Sequence, residues 1–315
     1  MKGPSLEAIS LKTDDLDLVT GVVETSEPTA TSSGWPRGRT LALRLLAVVG
    51  SLAIYSLYRH LRVGAGRDVF VRGLPVQPFR HALTVLKVEH VLGLDIEQGL
   101  QNMFLSHGLI IRFANAYYSW AHQWMTLGLL ILVLLKAPWT AAWQWVAALL
   151  LQLGVALVVF RMYPLMPPRL LDAGGPWGGR ILEQNLSMRP IGIIDTLVQF
   201  HGPWSSLPSS VNSFTNQFAA MPSLHCGFAM WVGVVWWQFA KGHRWRVLGP
   251  LHTAMILFCV VVTGNHWVLD AILGWAAALV LLGVTGRFTG FQRVMRSYGR
   301  QGDSSRMLST TSISQ

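Results

Sequence analysis

Met221-Pro222-Ser223-Leu224-His225 and Thr263-Gly264-Asn265-His266-Trp267-Val268-Leu269-Asp270 each stand at the head of an apolar stretch long enough to cross a bilayer. Between them the chain runs through the membrane from Pro222, passes the basic cluster Lys241, His243, Arg244 and Arg246, and returns through Val247 to Thr263. One crossing out and one back put His225 and His266 at the same membrane face. Asp270 follows His266 at i, i+4, the spacing that places two side chains on one helix face. Ionisable groups are costly at membrane helices and are functional by default, so this constellation is read as a site.

Working outward, apolar segments of about 20 residues predict spanning helices, because the hydrocarbon core is roughly 30 Å thick and a helix rises about 1.5 Å per residue. The sequence offers six, at about 40–61, 115–135, 140–163, 222–240, 247–265 and 266–286. Each is expected to be helical, since backbone amides in lipid find no water. The expected fold class is all-α, a polytopic six-transmembrane-helix bundle. Residues 80–105 carry Leu83, Leu86, Val91, Leu94 and Leu100 among charged neighbours, which predicts amphipathic helices lying at the extracytoplasmic interface. Residues 164–220, rich in Pro, Gly and Ser, read as a lid or binding loop, with Arg169, Arg180, Arg189 and His201 available to it.

The remaining segments divide the chain into a disordered tail at 1–38, a membrane domain at 39–290 and a second polar tail at 291–315. No short basic stretch leads directly into an apolar core at the start, so no signal peptide is expected. Charged residues make up only 13% of the chain, yet the net charge is +10. That excess is assigned to loop arginines and anionic lipid, not to nucleic acid, because no basic soluble domain or stripe is present. Arg37, Arg39 and Arg44, Lys136, the Lys241 to Arg246 cluster, and Arg287, Arg293, Arg296 and Arg300 share one side. The positive-inside rule makes that side, with both tails, cytoplasmic, and the histidine face extracytoplasmic in a cell membrane. Cys226 and Cys259 fall inside apolar segments and read as small buried hydrophobes, with no paired spacing for a disulfide or a metal.

An imidazole can attack phosphorus directly, splitting one difficult displacement into two through a phosphohistidine. A carboxylate on its other ring nitrogen fixes the tautomer and stabilises the developing charge, which suits His266 with Asp270. His225 would then protonate the leaving alkoxide and later activate the acceptor. The spans opening at Pro222 and His266 would both turn free amides toward the anion, with Pro222 in a first-turn position and the Ser223 hydroxyl close by. Arg169, after Tyr163-Pro164-Leu165-Met166-Pro167-Pro168, is a candidate bidentate phosphate clamp. His122 is weighed equally between phosphate site and core, while lone His107, His201 and His252 are read as packing residues. Trp139, Trp143, Trp204, Trp236 and Trp237 read as an interface belt.

Pro222-Ser223-Leu224-His225 with Gly264-Asn265-His266 and Asp270 resembles the type-2 phosphatidic acid phosphatase superfamily, and within it the inositolphosphotransferase (inositol phosphorylceramide synthase) branch. The resemblance covers roughly 80–285. It implies a six-helix membrane core, a site open to the outer or lumenal side and a metal-independent phosphohistidine mechanism with no cofactor. In that mechanism His266 is the nucleophile, Asp270 its orienting partner, His225 the general acid and Ser223 a phosphate contact. The broad superfamily carries Lys-x6-Arg-Pro, whereas here Arg161 and Arg169 are eight apart and Leu170 follows Arg169; Val260 stands where the superfamily has an arginine. Both departures suit the inositolphosphotransferase branch, as do Glu89, Leu92-Gly93, Glu97 and the stretch Tyr118 to His122. The expected partners are membrane lipids and a lipid-linked phosphate substrate. The rival readings are a haem-binding electron-transfer bundle with paired histidines and a non-catalytic lipid-binding protein.

Overall fold

The computed structural model describes residues 74–175, 177–178, 192–200 and 217–288, with a few positions between 42 and 53. Both expected tails, Arg180, Arg189, His201 and Trp204 lie outside the described residues, as does most of the span expected at 40–61. Among the described residues every regular element is helical, and one isolated parallel bridge joins Leu165 to Ala219.

The chain enters through α1 (Val76–Leu92) and α2 (Glu97–Leu105), separated where Gly93 takes φ +67° and its N–H returns to the Glu89 and His90 carbonyls. Next come α3 (Gly108–Ala116), a π-helical turn at Tyr117–Ala121 and α4 (His122–Lys136), continuous along one axis. Ala137-Pro138 breaks that rod, because proline cannot supply the next amide, and α5 (Trp139–Met162) returns. A 3-10 turn at Pro168–Leu171 and the short α6 (Thr196–Gln199) follow. The bundle closes with α7 (Leu224–Phe239), a turn of helix α8 (His243–Arg246), α9 (Leu248–Val262) and α10 (Val268–Phe288).

Four stretches are long and apolar enough to cross a membrane: Gly108–Lys136, Ala142–Met162, His243–Val262 and Val268–Gly286. The span expected at 222–240 is a helix of 16 residues, or about 24 Å, because Pro222 and Ser223 lie before it. Pro222 therefore precedes the cap, joined to Met221 by a cis peptide, and does not occupy the first turn.

α7 is the hub, packed against α4, α5, α9 and α10. It approaches α9 closely, where a Cβ on Gly249 would lie 2.5 Å from the Gly233 carbonyl oxygen. Only glycine permits that spacing, the small-residue contact by which membrane helices pack without a solvent-driven force. Around it Cys226, Ala229, Ile256, Val260, Val261, Val268 and Ala271 form one apolar cluster.

The stretch 80–105 is helical, in α1 and α2. Phe79, Ala82, Val85 and Glu89 are buried on α1, whereas Val91 is 83% exposed. An interfacial helix turns its apolar residues to lipid, so an exposed Val91 does not conflict with the amphipathic pattern. A buried glutamate takes the packed side because it has backbone donors to satisfy, as the site makes plain.

Candidate active site

Local chain geometry sets each side chain. α9 ends at Val262, and Gly264 (φ +68°) reverses the backbone so that Asn265 and His266 occupy the turn ahead of α10. The reversal also admits a close neighbour, because the Gly264 carbonyl accepts the Arg169 backbone N–H at 2.8 Å. A Cβ at Gly264 would meet Ile193 at 3.0 Å and Arg169 at 3.3 Å. The turn thus fixes the distance between His266 and the arginine.

His266 is two residues ahead of the helix, not within its first turn as the i, i+4 spacing predicted. Its Nδ1 nevertheless lies 3.5 Å from Asp270 Oδ2. That separation is long for a hydrogen bond, and Oδ2 already accepts the Trp267 N–H at 3.1 Å. The His266 ring also bonds the Ala220 backbone, and the Arg169 charge is close enough to act on it. His225, half-buried in the first turn of α7, faces His266 with ring centroids 5.7 Å apart. The Tyr118 ring stacks on its other side at 4.2 Å. The fully buried Ser223 hydroxyl accepts the Cys226 N–H at 3.2 Å, which makes it the N-cap of α7, and its backbone N–H donates to the Asp270 carbonyl at 3.0 Å. Ser223 therefore ties the heads of the two histidine-bearing segments together.

Arg169 comes from the 3-10 turn, and its Nη1 donates to Asp195 Oδ2 at 2.8 Å while its buried Nε has no partner. Asp195 is in turn held on three sides. Its backbone N–H donates to Asp172 Oδ2, its Oδ1 caps α6 by accepting from Leu197 and Val198, and the preceding Ile194 is bonded through both N–H and C=O to the Gln101 side chain. The same Gln101 amide reaches the Val262 carbonyl at 3.1 Å. Sequence reading missed Asp195 and Gln101; an aspartate one residue before Thr196-Leu197 is a helix-start signal that could have flagged the first.

The head of α10 departs from expectation most. Its leading amides were predicted to be free for an anion, yet three carboxylates from three helices take them: Trp267 N–H goes to Asp270, Val268 N–H to Glu97 Oε1 at 2.9 Å, and Leu269 N–H to Glu89 Oε1 at 2.6 Å. Anionic groups at a helix N-terminus are stabilised by donors and dipole alike. Glu89 and Glu97 are 0% and 2% exposed, and Glu89 Oε2 has no donor within reach. Burial, then the nearby Glu97 charge, push the Glu89 carboxyl up to about 9; burial raises Glu97 as well. Burial beside Glu97 thus favours the neutral form of Glu89.

A sign follows. An acid whose folded pKa is raised stabilises the fold below its ordinary pKa, 4.5 for Glu89, and loses that contribution as pH rises toward 9. Glu89→Gln mimics the protonated form, so its melting temperature in detergent should fall less than the wild type's between pH 6 and pH 9, by a few degrees. Glu89→Ala, which abandons the Leu269 N–H, should melt lower throughout. Parallel melting curves for wild type and Glu89→Gln would contradict the raised Glu89 carboxyl.

His122 projects from the first turn of α4 into the bundle, with its ring 5.6 Å from that of His225. The structure thus brings His225, His266, Asp270, Ser223, Arg169 and His122 to one end of the bundle. A family model described as the PAP2 superfamily matches residues 83–284, taking in every one of them. The chain belongs to the PAP2 superfamily. No curated protein and no solved structure matches it. PAP2 membership points to phosphatase or phosphotransferase action on lipid phosphates, and four apolar helices place the chain among membrane proteins.

Proposed function

We propose that this PAP2 protein is a membrane phosphotransferase or phosphatase that cleaves a lipid-linked phosphate ester through a phosphohistidine on His266, without a metal. The observation that carries the reading is the imidazole pair His225 and His266, 5.7 Å apart, with Asp270 behind one ring and Arg169 beside it. Two imidazoles this close can act in opposite roles on one phosphoryl group bound at their edge. His266 attacks phosphorus as the ester P–O bond breaks, and His225 gives its proton to the leaving oxygen. In the second half, His225 takes the proton of water or an alcohol as that oxygen displaces the His266 nitrogen. Arg169, held by Asp195, answers the phosphate charge with its unpartnered Nε. Ser223 supports the site chiefly as a cap, and its own proton remains available to an oxygen. The departures from the superfamily pattern at Arg169 and Val260 support an inositolphosphotransferase-like branch, with either water or an alcohol as acceptor.

We place the site on the extracytoplasmic face, opposite Lys241 to Arg246. The facing histidines His122 and His252 meet nitrogen to nitrogen at 3.3 Å. This is a hydrogen bond, so the pair suits proton handling over haem ligation.

The experiment is turnover of phosphatidic acid, phosphatidylinositol and a short-chain impermeant analogue by protein in sealed vesicles of known sidedness, with excess EDTA. Activity that survives EDTA and appears for the impermeant analogue only from the extracytoplasmic side is expected. Loss in EDTA restored by magnesium or zinc would overturn metal independence, and activity only from the other side would overturn the orientation.

A further inference from the structure

The imidazoles do not stop at the catalytic pair. From His225 the line continues to His122, whose Nδ1 meets His252 Nε2 at 3.3 Å with the rings stacked at 19°, and on to Tyr117, whose hydroxyl lies 2.8 Å from His252 Nδ1. His122 and His252 are each 2% exposed. His252 sits on α9 ten residues before Val262, about 15 Å deeper than the turn that carries His266. Two ionisable rings this deep in a spanning helix are costly unless they serve a purpose.

Two backbone features build the line. The π-helical turn at Tyr117–Ala121 inserts one residue's worth of extra rotation, a local feature frequent at functional sites. It allows Tyr118 to stack on His225 while its neighbour Tyr117 reaches His252. The glycine contact between α7 and α9 brings His252 close to the wall that carries His225.

We propose that His122, His252 and Tyr117 are positioning residues for the proton-transfer steps at His225. A neutral imidazole has one donor and one acceptor, so the line can be ordered in one direction. Tyr117 O–H donates to His252 Nδ1, a better acceptor than the Met125 sulfur 3.7 Å away. His252 Nε2–H donates to His122 Nδ1, and His122 must then carry its proton on Nε2. Every ring beyond His225 thereby has a set tautomer, and the His225 ring packs between Tyr118 and a neighbour whose dipole is fixed. The far end opens on an apolar pocket of about 210 Å³ lined by Met125, Val232, Trp236, Leu251 and Met255, which offers no competing acid or base.

This rests on the phosphohistidine reading and adds a separate consequence. His225 donates one proton as the ester P–O bond breaks and the N–P bond forms, and recovers one from the acceptor hydroxyl as the N–P bond breaks. The line returns to its starting state each cycle, so it orders His225 without losing a proton. A fault in it should matter only where His225 has to move a proton.

The test compares phosphatidic acid, whose alkoxide leaving group needs that proton, with p-nitrophenyl phosphate, whose leaving group does not. In His252→Leu, turnover of phosphatidic acid should fall about 10- to 100-fold, a fraction of the full effect of a general acid. The burst of p-nitrophenolate that reports phosphoenzyme formation should stay within about twofold of wild type, with slow turnover after it. His252→Gln, which keeps a donor and an acceptor, should recover most of the loss, and Tyr117→Phe, which removes only the terminal hydroxyl, should show a weaker form of the same split. Equal loss on both substrates, or none on either, would overturn the positioning role. If wild type itself shows no burst and no phosphoenzyme, the phosphohistidine reading fails first.

Discussion

His266→Ala should abolish turnover, and protein quenched during turnover of a phosphate-labelled substrate should carry its label on His266 alone. The expected loss is on the order of 10⁵- to 10⁶-fold, the scale on which removing a nucleophile acts when the remaining groups work only as a unit with it. The geometry makes the assignment specific. Asp270 Oδ2 lies 3.5 Å from Nδ1 of the His266 ring, and Arg169 acts on the same ring. The His225 ring stacks on that of Tyr118 at 4.2 Å. The N–P bond is acid-labile, so the label is to be recovered by alkaline quench and peptide mapping. Label on His225, or wild-type rates in His266→Ala, would reverse or remove the nucleophile.

Asp270→Asn should lower turnover by about 10³- to 10⁴-fold, as loss of an orienting carboxylate does in other triads. The substitution separates two jobs that one side chain performs. An amide oxygen can still accept the Trp267 N–H, so the head of α10 should stay formed and the melting temperature in detergent should change little. What disappears is the carboxylate 3.5 Å from His266 Nδ1, which in the proposed mechanism stabilises the ring as it becomes cationic during attack. Asp270→Ala should lose both functions, with lower activity and a lower melting temperature. Normal kinetics in Asp270→Asn would leave Asp270 a capping residue and nothing more.

Much of this was legible in the chain because the relevant signals are local. Apolar length marked the helices that became α4, α5, α9 and α10, and the turn residues Gly264-Asn265 marked where the chain reverses. The shared end of the bundle for His225 and His266 followed from counting crossings. What escaped was set by partners distant in sequence. Glu89 and Glu97 read as charged positions on interfacial helices, and their inward orientation exists only because Leu269 and Val268 present donors 180 and 171 residues later. Asp195 carried no sign that it would hold Arg169, since the pairing depends on Gln101 fastening Ile194 in place. His252 read as a lone packing histidine, and its neighbours His122 and Tyr117 are more than a hundred residues away. No periodicity within one helix could have joined the three.

The carboxylates on the head of α10 also bear on how the molecule is made. α1 and α2 leave the ribosome long before α10 does, and at synthesis rates of about 5 to 20 residues per second the interval is roughly 10 to 40 s. Throughout that time Glu89 and Glu97 have none of the amides they will later accept, and they can remain charged and hydrated at the membrane surface. Arrival of the last helix supplies those amides and buries the two acids. A chain stalled before residue 268 would thus leave both glutamates without the amides that bury them in the finished protein, so the interfacial helices α1 and α2 take their final packing only when the last helix arrives.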